Sequence, residues 1–584
     1  MPHNASELNA TRAWNRFYAE GTPADIDLPQ GSLYDMLEDR ANRFSDNVAI
    51  EFFGGETTYL HLFNQVNRFA EGLRIAGVKA GDRVTLILPN CPQHVVAFYA
   101  VLRLGAVVVE HNPIYTADEH AKQFADHGAD VAVIWDKACA TIRQMPRKVQ
   151  PKTIISVDIT RAFPLKLRLA LRLPLQKVRD KRSALTQSAP GTVAFERLAA
   201  STPIDREHPR PAVDDTAVLQ YTSGTTGDPK GAIITHSNLW SNARQGAAWM
   251  PRFTPGRETI YGVLPMFHAF GLLLSVIYSV HVAARATLFP TFDPQLIIDA
   301  SKQHPATFIP AVPPMYDRLA RVAREGKLDL SGVIYAISGA MTLNDAIVDR
   351  WEKVAGGRLV EGFGMTETSP VALGNPFTAE RKTGTIGIPF PSTDIKVVDP
   401  DDLTREVELG EVGELLVHGP QVFQGYWNRP EETAQTLLEG RWVRSGDLVT
   451  QDEDGFVTVV DRKKELIITG GFNVAPTEVE KVINRIPGVA ESAVVGVRRG
   501  SGAESVTAVV VLEPGAVFDE AAARAYAREH LAEYKVPRSY QVWDELPKSL
   551  IGKVLRREVR ERLQAGRGAK STRQHGAGGD DVER

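Results

Sequence analysis

Between about residues 30 and 300, short apolar runs alternate with longer stretches of helical spacing, and this alternation constrains the fold more than any other feature of the chain. Arg83-Val-Thr-Leu-Ile-Leu, Ala106-Val-Val-Val-Glu and Val131-Ala-Val-Ile-Trp read as strands, and the stretch 95–104 between the first two reads as a helix. Strands joined through helices imply βαβ units and a largely parallel sheet. After residue 380 the texture changes to short strands broken by Gly, Pro and Asp: Ile395-Lys-Val-Val, Gly413-Glu-Leu-Leu-Val and Phe456-Val-Thr-Val-Val. A small β-rich subdomain is expected there. From about 462 the order is helix (476–486), strand (491–497), strand (505–512) and helix (520–531), the outline of an α+β unit. The predicted class is α/β: a large N-terminal domain of parallel α/β sheet subdomains plus a small β-rich subdomain, then a small α+β C-terminal domain. A chain of 584 residues exceeds what one core supports. The boundaries read as 1–460 and 461–564, with the Gly-rich, polar stretch 565–584 as a disordered tail.

One loop interrupts the pattern. Tyr221-Thr-Ser-Gly-Thr-Thr-Gly-Asp-Pro-Lys230-Gly231 lies between the apolar runs Thr216-Ala-Val-Leu-Gln and Ala232-Ile-Ile, so it reads as strand–loop–strand. Its glycines free the backbone to curl, and inward-pointing N–H groups in such a curl form a nest for an anion, usually phosphate. Lys230 follows Gly227 by three residues with no Ser or Thr after it, so the spacing is not Walker A. The alternative for a Gly/Ser/Thr-rich stretch is a plain surface turn.

Composition narrows the class. At 43% hydrophobic and 24% charged residues, the chain is of ordinary globular type, and a net charge of −4 argues against binding nucleic acid through a broad basic field. The only cysteines, Cys91 and Cys139, give neither a metal-site spacing nor a disulfide framework, which fits a reducing cytoplasm. No secretory signal is expected, and the longest apolar run, 270–282, is too short to span a membrane. The sequons at Asn4 and Asn9 are expected to be chance matches.

The segment 163–182 stands apart. Leucines occur at 165, 167, 169, 171, 173 and 175 with Lys166, Arg168 and Arg172 between them, bracketed by Pro164 and Pro174. A period of two would spread the leucines around a helix rather than along one stripe. Two readings stand: an insertion hairpin packed on its own domain, or a peripheral contact with anionic membrane at the inner face.

Four further motifs follow the loop: Glu361-Gly-Phe-Gly-Met-Thr-Glu367-Thr, Arg444-Ser-Gly-Asp447, Asp461-Arg462-Lys-Lys-Glu465-Leu-Ile-Ile-Thr-Gly470-Gly471, and Pro547-Lys-Ser-Leu-Ile-Gly552-Lys553. In this order, over roughly residues 30–562, the chain resembles the adenylate-forming superfamily of acyl-CoA synthetases, luciferases and nonribosomal-peptide adenylation domains. Asn112-Pro-Ile-Tyr-Thr, Pro265-Met-Phe-His268 and the leucine-rich basic insertion look most like bacterial long-chain fatty acyl-CoA synthetases.

The resemblance implies ATP, Mg²⁺ and coenzyme A as cofactors, and assigns roles residue by residue. A carboxylate attacking the α-phosphate of ATP must be brought to another anion, so positive charge and donors must gather there. Thr222, Ser223, Gly224, Thr225, Thr226, Gly227 and Lys230 would hold the β- and γ-phosphates. Glu367 would hold Mg²⁺, and Thr366 would bond the α-phosphate. Phe363, within Glu361-Gly362-Phe363-Gly364, would face adenine, with Ser338, Gly339 and Ala340 opposite. Asp447 would accept the ribose hydroxyls, with Arg462 adding a ribose or phosphate contact. His268 would stand beside the acyl carboxylate, above a pocket of Phe270, Leu272, Val312 and the 369–372 run. Lys553 would bridge acyl carboxylate and α-phosphate in the first half-reaction. The C-terminal domain, expected to be mobile, would then turn about Asp461 and present Gly470 and Gly471 to the pantetheine arm.

The expected activity is that of a fatty acyl-CoA synthetase for medium- to long-chain acids. An acyl-AMP ligase loading a carrier protein and a non-catalytic acyl or nucleotide sensor stand as alternatives. The expected partners are fatty acid, ATP and CoA, with a homodimer possible and no nucleic acid.

Overall fold

In this computed structural model, residues 5–222, 229–469, 472–498, 504–549 and 552–574 are described. The apolar runs pair into sheets as the alternation predicts. One sheet runs in the order Val193–Ala194, Thr153–Val157, Val131–Trp135, Arg83–Ile87, Val107–Glu110, Thr216–Thr222, Lys230–Thr235. Its neighbours are parallel except for the last pair, which is antiparallel. A second sheet runs Ile388–Pro389, Val371–Gly374, Arg358–Gly364, Tyr335–Ser338, Phe308–Ala311, Thr259–Gly262, Arg285–Leu288, Val48–Phe52, Gly55–Thr58. It is parallel through its middle and antiparallel at both ends. Central strands such as Val107–Glu110 are buried along their whole length, which is why they read as unbroken apolar runs.

The helix Pro92–Arg103 is buried at every residue. Apolar side chains on all its faces suit that position, and its terminal Arg103 donates to the carbonyls of Asp205, His208 and Pro209 at 3.0–3.1 Å.

The chain divides by its contacts into two units. The first holds Met1–Lys396, Leu416–Ser445 and Glu453–Val457; the second holds Val397–Leu415, Gly446–Asp452 and everything from Thr458. The short strands Asp394–Val398, Gly413–His418, Val443–Gln451 and Val457–Arg462 lie where a β-rich texture was read.

The second unit is built on the sheet Val489–Arg498, Glu504–Leu512, Ser539–Val542, antiparallel then parallel. Alternation sorts its side chains. Val494, Val506, Ala508 and Val510 pack with Val479 and Ile483 of the helix Pro476–Ile483 and with Ala523 and Ala527 of the helix Glu520–His530. Ala493, Val495, Val497 and Val509 pack instead with Val559 and Leu563 of the helix Arg556–Gln574. That helix runs through 565–574, ten residues into the stretch read from sequence as tail. Ala, Arg, Lys and Gln carry the helix onward, against a cost of about 1 kcal/mol for each glycine.

The segment 163–182 forms two short helices, Leu165–Ala170 and Gln176–Leu185. Phe163 anchors its start among Phe52 and Phe53. Beyond that anchor Leu167 and Leu171 are half-buried, while Leu165, Leu169, Leu173 and Leu175 are 51–66% exposed. Among the described residues, no helix is long and apolar enough to cross a membrane.

Candidate active site

The strand Thr216–Thr222 and the strand Lys230–Thr235 pair antiparallel, with Thr222 opposite Lys230 and Tyr221 opposite Gly231. The two ends of the glycine-rich loop are therefore cross-strand neighbours, as strand–loop–strand predicts. Ser223, Gly224, Thr225, Thr226 and Gly227 lie outside the described residues. Gly231 leaves room for the Tyr221 ring, since a Cβ there would stand 3.2 Å from Tyr221 Cζ.

Both strands are tied down from outside. Tyr221 Oη donates to Asp126 Oδ2 at 2.7 Å, and Arg429 Nη2 lies 3.0 Å from Asp126 Oδ1. Trp427 Nε1 donates to the Asp126 carbonyl at 3.3 Å. Burial, then the Asp126 carboxylate, push the Tyr221 phenol well above its ordinary range, so it stays a donor. The segment 424–427 runs beside the second strand. Gln424 N–H donates to the Ile233 carbonyl, Ile233 N–H to that of Gly425, and Trp427 N–H to that of Gly231, at 2.8–2.9 Å.

A row of buried histidines backs the Tyr221 ring. His111 follows the strand Val107–Glu110, while His120 and His127 sit on the helix Ala117–His127. His111 Nδ1 is 3.0 Å from His120 Nδ1, and His111 Nε2 is 3.1 Å from His127 Nε2. Ala129 N–H donates to His127 Nδ1 at 3.1 Å. Burial holds His120 down to about 4, His127 to about 3, and His111 well below the usual imidazole value, so all three are neutral.

Thr366 opens the short 3-10 helix Thr366–Thr368, which carries Glu367. Glu367 is buried, at 7% exposure, and accepts a hydrogen bond from Tyr426 Oη at 2.5 Å on Oε1. The Phe423 N–H donates to the Glu367 carbonyl at 2.9 Å. Lys230 Nζ lies 5.4 Å from the centroid of the Tyr426 ring. A carboxylate and an ammonium thus share one tyrosine beside the exit of the loop.

The parallel strands Tyr335–Ser338 and Arg358–Gly364 place Ser338 level with Glu361. Ligands in open α/β sheets bind outside the carboxyl ends of strands, and Ser338-Gly339-Ala340 and Gly362-Phe363-Gly364 lie at such ends. Ser338 is buried, and its hydroxyl has no hydrogen-bond partner among the described residues. A side chain at Gly339 would reach the Phe270 ring at 2.9 Å, and one at Gly364 would collide with the Pro370 carbonyl at 1.9 Å. Ala340 holds a left-handed φ of 67°. Glu361 Oε2 accepts from Leu343 N–H at 3.2 Å, tying down the loop that follows Ser338. Phe363 is half-buried, so part of its ring stays open.

The turn 265–272 is fixed by Asn90, whose amide donates to the carbonyls of Gly262 and Leu264 and accepts from Met266 N–H, at 2.7–2.9 Å. Gly271 is required there, since a Cβ would meet the Pro265 carbonyl at 2.0 Å. His268 is exposed at the head of the helix Ala269–Leu272. Phe270 meets Gly339, so the predicted acyl side and the predicted adenine wall adjoin. Leu272, Val312, Val371 and Ala372 are buried.

Asp447, Arg462, Asp461 and Lys553 belong to the second unit. Arg462 Nε pairs with Asp447 Oδ1 at 3.1 Å. The Asp461 carboxylate accepts from Arg462 N–H and Thr477 N–H, each at 2.7 Å, with Arg556 Nη1 at 3.5 Å. Lys553 N–H meets Ser549 Oγ at 3.2 Å, and Gly552 before it holds φ 82°. Burial raises the neighbouring Glu465 carboxyl, but Arg556, then Arg462 and Lys553, outweigh it and hold it below its usual value. Gly470 and Gly471 lie outside the described residues.

Sequence reasoning missed Tyr426, Asp126 and Asn90. Gly425-Tyr426-Trp427-Asn428-Arg429-Pro430 carried a signal, a glycine and a proline bracketing two aromatics.

The profile of the AMP-binding enzyme family matches residues 37–427, and that of the AMP-binding enzyme C-terminal domain matches residues 478–553. The chain is 38% identical over 567 residues to a long-chain-fatty-acid–CoA ligase of Bacillus subtilis, covering 95% of this chain and 98% of that protein. It is 35% identical over 528 residues to a feruloyl-CoA synthase of Amycolatopsis, covering 90% and 97%. Among solved structures, ATP-bound MatB from Rhodopseudomonas palustris superposes with a TM-score of 0.77 at 31% identity, covering 92% of this chain and 99% of that one.

Proposed function

The chain belongs to the AMP-binding enzyme family, and on that premise we propose that it joins a medium- to long-chain fatty acid to CoA through an acyl-adenylate, releasing pyrophosphate and AMP. The reading is supported by identity along nearly the whole length to a long-chain-fatty-acid–CoA ligase. The observation that carries it is the pairing of Lys230 and buried Glu367 on Tyr426, at the mouth of the loop between Thr222 and Lys230.

In the first half-reaction a carboxylate oxygen of the fatty acid bonds to the α-phosphorus of ATP, and the bond to pyrophosphate breaks. Lys230 and the hydroxyls from Thr222 to Thr226 hold the β- and γ-phosphates, and Thr366 bonds the α-phosphate. Among the described residues, no cluster of three or more His, Cys, Asp or Glu could hold a metal alone. Mg²⁺ in nucleotide sites needs only one or two carboxylates with substrate phosphates completing its shell, and Glu367 fits that requirement. Mg²⁺ there supplies neutralising charge to the phosphates. Phe363 and the Ser338-Gly339-Ala340 turn enclose adenine, Asp447 and Arg462 hold the ribose, His268 stands beside the acyl carboxylate, and Lys553 bridges it to the α-phosphate. In the second half-reaction the C-terminal domain turns about Asp461. The CoA sulfur then bonds to the acyl carbon along Gly470 and Gly471, and AMP leaves.

The test is pyrophosphate release across straight-chain carboxylates of increasing length, with and without CoA. Release rising with chain length, and acyl-CoA formed only with CoA, are expected. Thioester formed on holo-carrier protein but never on free CoA would replace CoA with a carrier as acceptor. ATP binding with no pyrophosphate release from any acid would leave a sensor.

A second partner is favoured by the exposed leucines. The helix Leu165–Ala170 and the segment that joins it to the helix Gln176–Leu185 present Leu165, Leu169, Leu173 and Leu175 to solvent, with Lys166, Arg168 and Arg172 between them in sequence. Leucine with clustered basic side chains suits an anionic lipid surface, at about 1 kcal/mol per basic residue. Replacing the three basic residues by Gln is expected to weaken binding to phosphatidylserine vesicles and spare turnover of short, soluble acids. Unchanged vesicle binding would remove this contact.

A further inference from the structure

Resting on the reading of Glu367 as the metal-holding carboxylate, we infer that Tyr426 is a positioning residue for it and for Lys230, and so sets the divalent-cation affinity of the nucleotide site. Three observations converge on this residue. Its hydroxyl donates to Glu367 Oε1 at 2.5 Å. Its ring lies under Lys230 Nζ, 5.4 Å from the centroid, within the range of a cation–π contact. Its backbone is fastened on both sides. Tyr426 pairs with Ala232 in a β-bridge, and its N–H donates to Thr433 Oγ1 at 2.9 Å. Residues 424–427 therefore hold the strand that leaves the phosphate loop and the tyrosine that reaches Glu367 in one piece.

The chemistry of a phenol suits this place. It has one proton to give, and Glu367 Oε1 stands where that proton is accepted. A cation over the ring face draws electron density from it and sharpens the hydroxyl as a donor, so the two contacts reinforce each other. Glu367 is held at one carboxylate oxygen by Tyr426 and at its backbone carbonyl by the Phe423 N–H, so its main chain is anchored and one oxygen is directed to the tyrosine. A ligating carboxylate oriented by its own hydrogen bond is the usual arrangement around bound metal, and removing that partner typically costs about 10–100-fold in metal affinity. A tyrosine that merely filled space would need only its ring.

The experiment uses full-length protein carrying a non-hydrolysable ATP analogue, titrated with Mg²⁺ by calorimetry and with Mn²⁺ by electron paramagnetic resonance. Four forms are compared: the parent chain, Y426F, E367Q and the double variant. Y426F is expected to lose about 10–100-fold in cation affinity, to keep affinity for the analogue without metal, and to add nothing further in the E367Q background. Y426H, whose ring N–H can still donate, is expected to recover part of the loss, and gives a second reading should Y426F fold poorly. Parent-like cation affinity in Y426F overturns the inference. So does an equal loss in the E367Q background, because the effect would then not pass through Glu367. Parent-like affinity in E367Q itself overturns the assignment of Glu367, and the inference with it.

Discussion

Lys553 follows a glycine in left-handed conformation, and its backbone is held by Ser549 at both N–H and carbonyl. A lysine fixed at its root and long in its stem can deliver charge to one place while its main chain stays put. On the proposed mechanism it meets only the adenylating transition state. Lys553→Ala is therefore expected to slow pyrophosphate release by about 10²–10³-fold and to leave thioester formation from supplied acyl-adenylate largely intact. Equal losses in single-turnover assays of both steps would remove the assignment. Residues of this kind could be proposed from the sequence, because each sits in a short motif whose chemistry is local. Tyr426 was not, because its meaning lies in a partner 59 positions away. Asp126 was hidden for the same reason, with Tyr221 95 positions away. An aromatic between a glycine and a proline reads as a turn until the fold brings Glu367 to its hydroxyl.

At the scale of elements, the loop depends on how its two strands are held. Asp126 receives Tyr221 from the strand that enters the loop and Arg429 from just beyond the segment that braces the strand leaving it. One carboxylate thus clasps both sides. Asp126→Asn keeps the volume but can accept at only one atom, leaving either a phenol or a guanidinium short of its partner. Hydrogen bonds to charged groups contribute about 1.5–3 kcal/mol each, so a loss of about that size in urea unfolding is expected. The KM for ATP should rise with it, while that for fatty acid changes little. A variant that lost stability yet kept its ATP KM would make the clasp a tie without influence on the loop. The strands themselves were legible as apolar runs, but their register was not, since a strand buried on both faces carries no alternation to fix it. Their bracing by 424–427 was not, since a third partner on an edge strand leaves no period in either sequence. For 163–182 the leucine spacing left both readings open, because a period of two marks no helical stripe; Pro164 stands immediately before the helix Leu165–Ala170 and Pro174 lies between the two helices.

At the scale of the whole molecule, buried neutral histidines set how the protein meets acid. His111, His120 and His127 are joined by His236, held down to about 4, and His281, held down to about 3, all by burial. Leu33 N–H already donates to His236 Nδ1 and Trp240 Nε1 to His281 Nδ1, so a new proton would displace a donor. A folded pKa below the unfolded value gives stability that is complete above about pH 6.5 and lost as pH falls toward 4. Each histidine contributes a slope of about 1.4 kcal/mol per pH unit in that window. Asp136, lifted by burial to about 6, and Glu110, Glu196 and Glu480, lifted likewise, act in the opposite sense but are fewer. Urea midpoints measured at pH 7.5, 6.5, 5.5 and 5.0 are expected to fall increasingly below 6.5; a flat series would contradict the neutral assignment. The row behind Tyr221 has one more property. Ala129 occupies His127 Nδ1, so that ring carries its hydrogen on Nε2 and offers it to His111. His111 must then carry its own on Nδ1 and offer it to His120, whose Nε2 hydrogen finds no acceptor among the described residues. The three imidazoles are a one-way queue with a head at the backbone and a tail in the core, and the single Ala129 N–H sets the direction of all three.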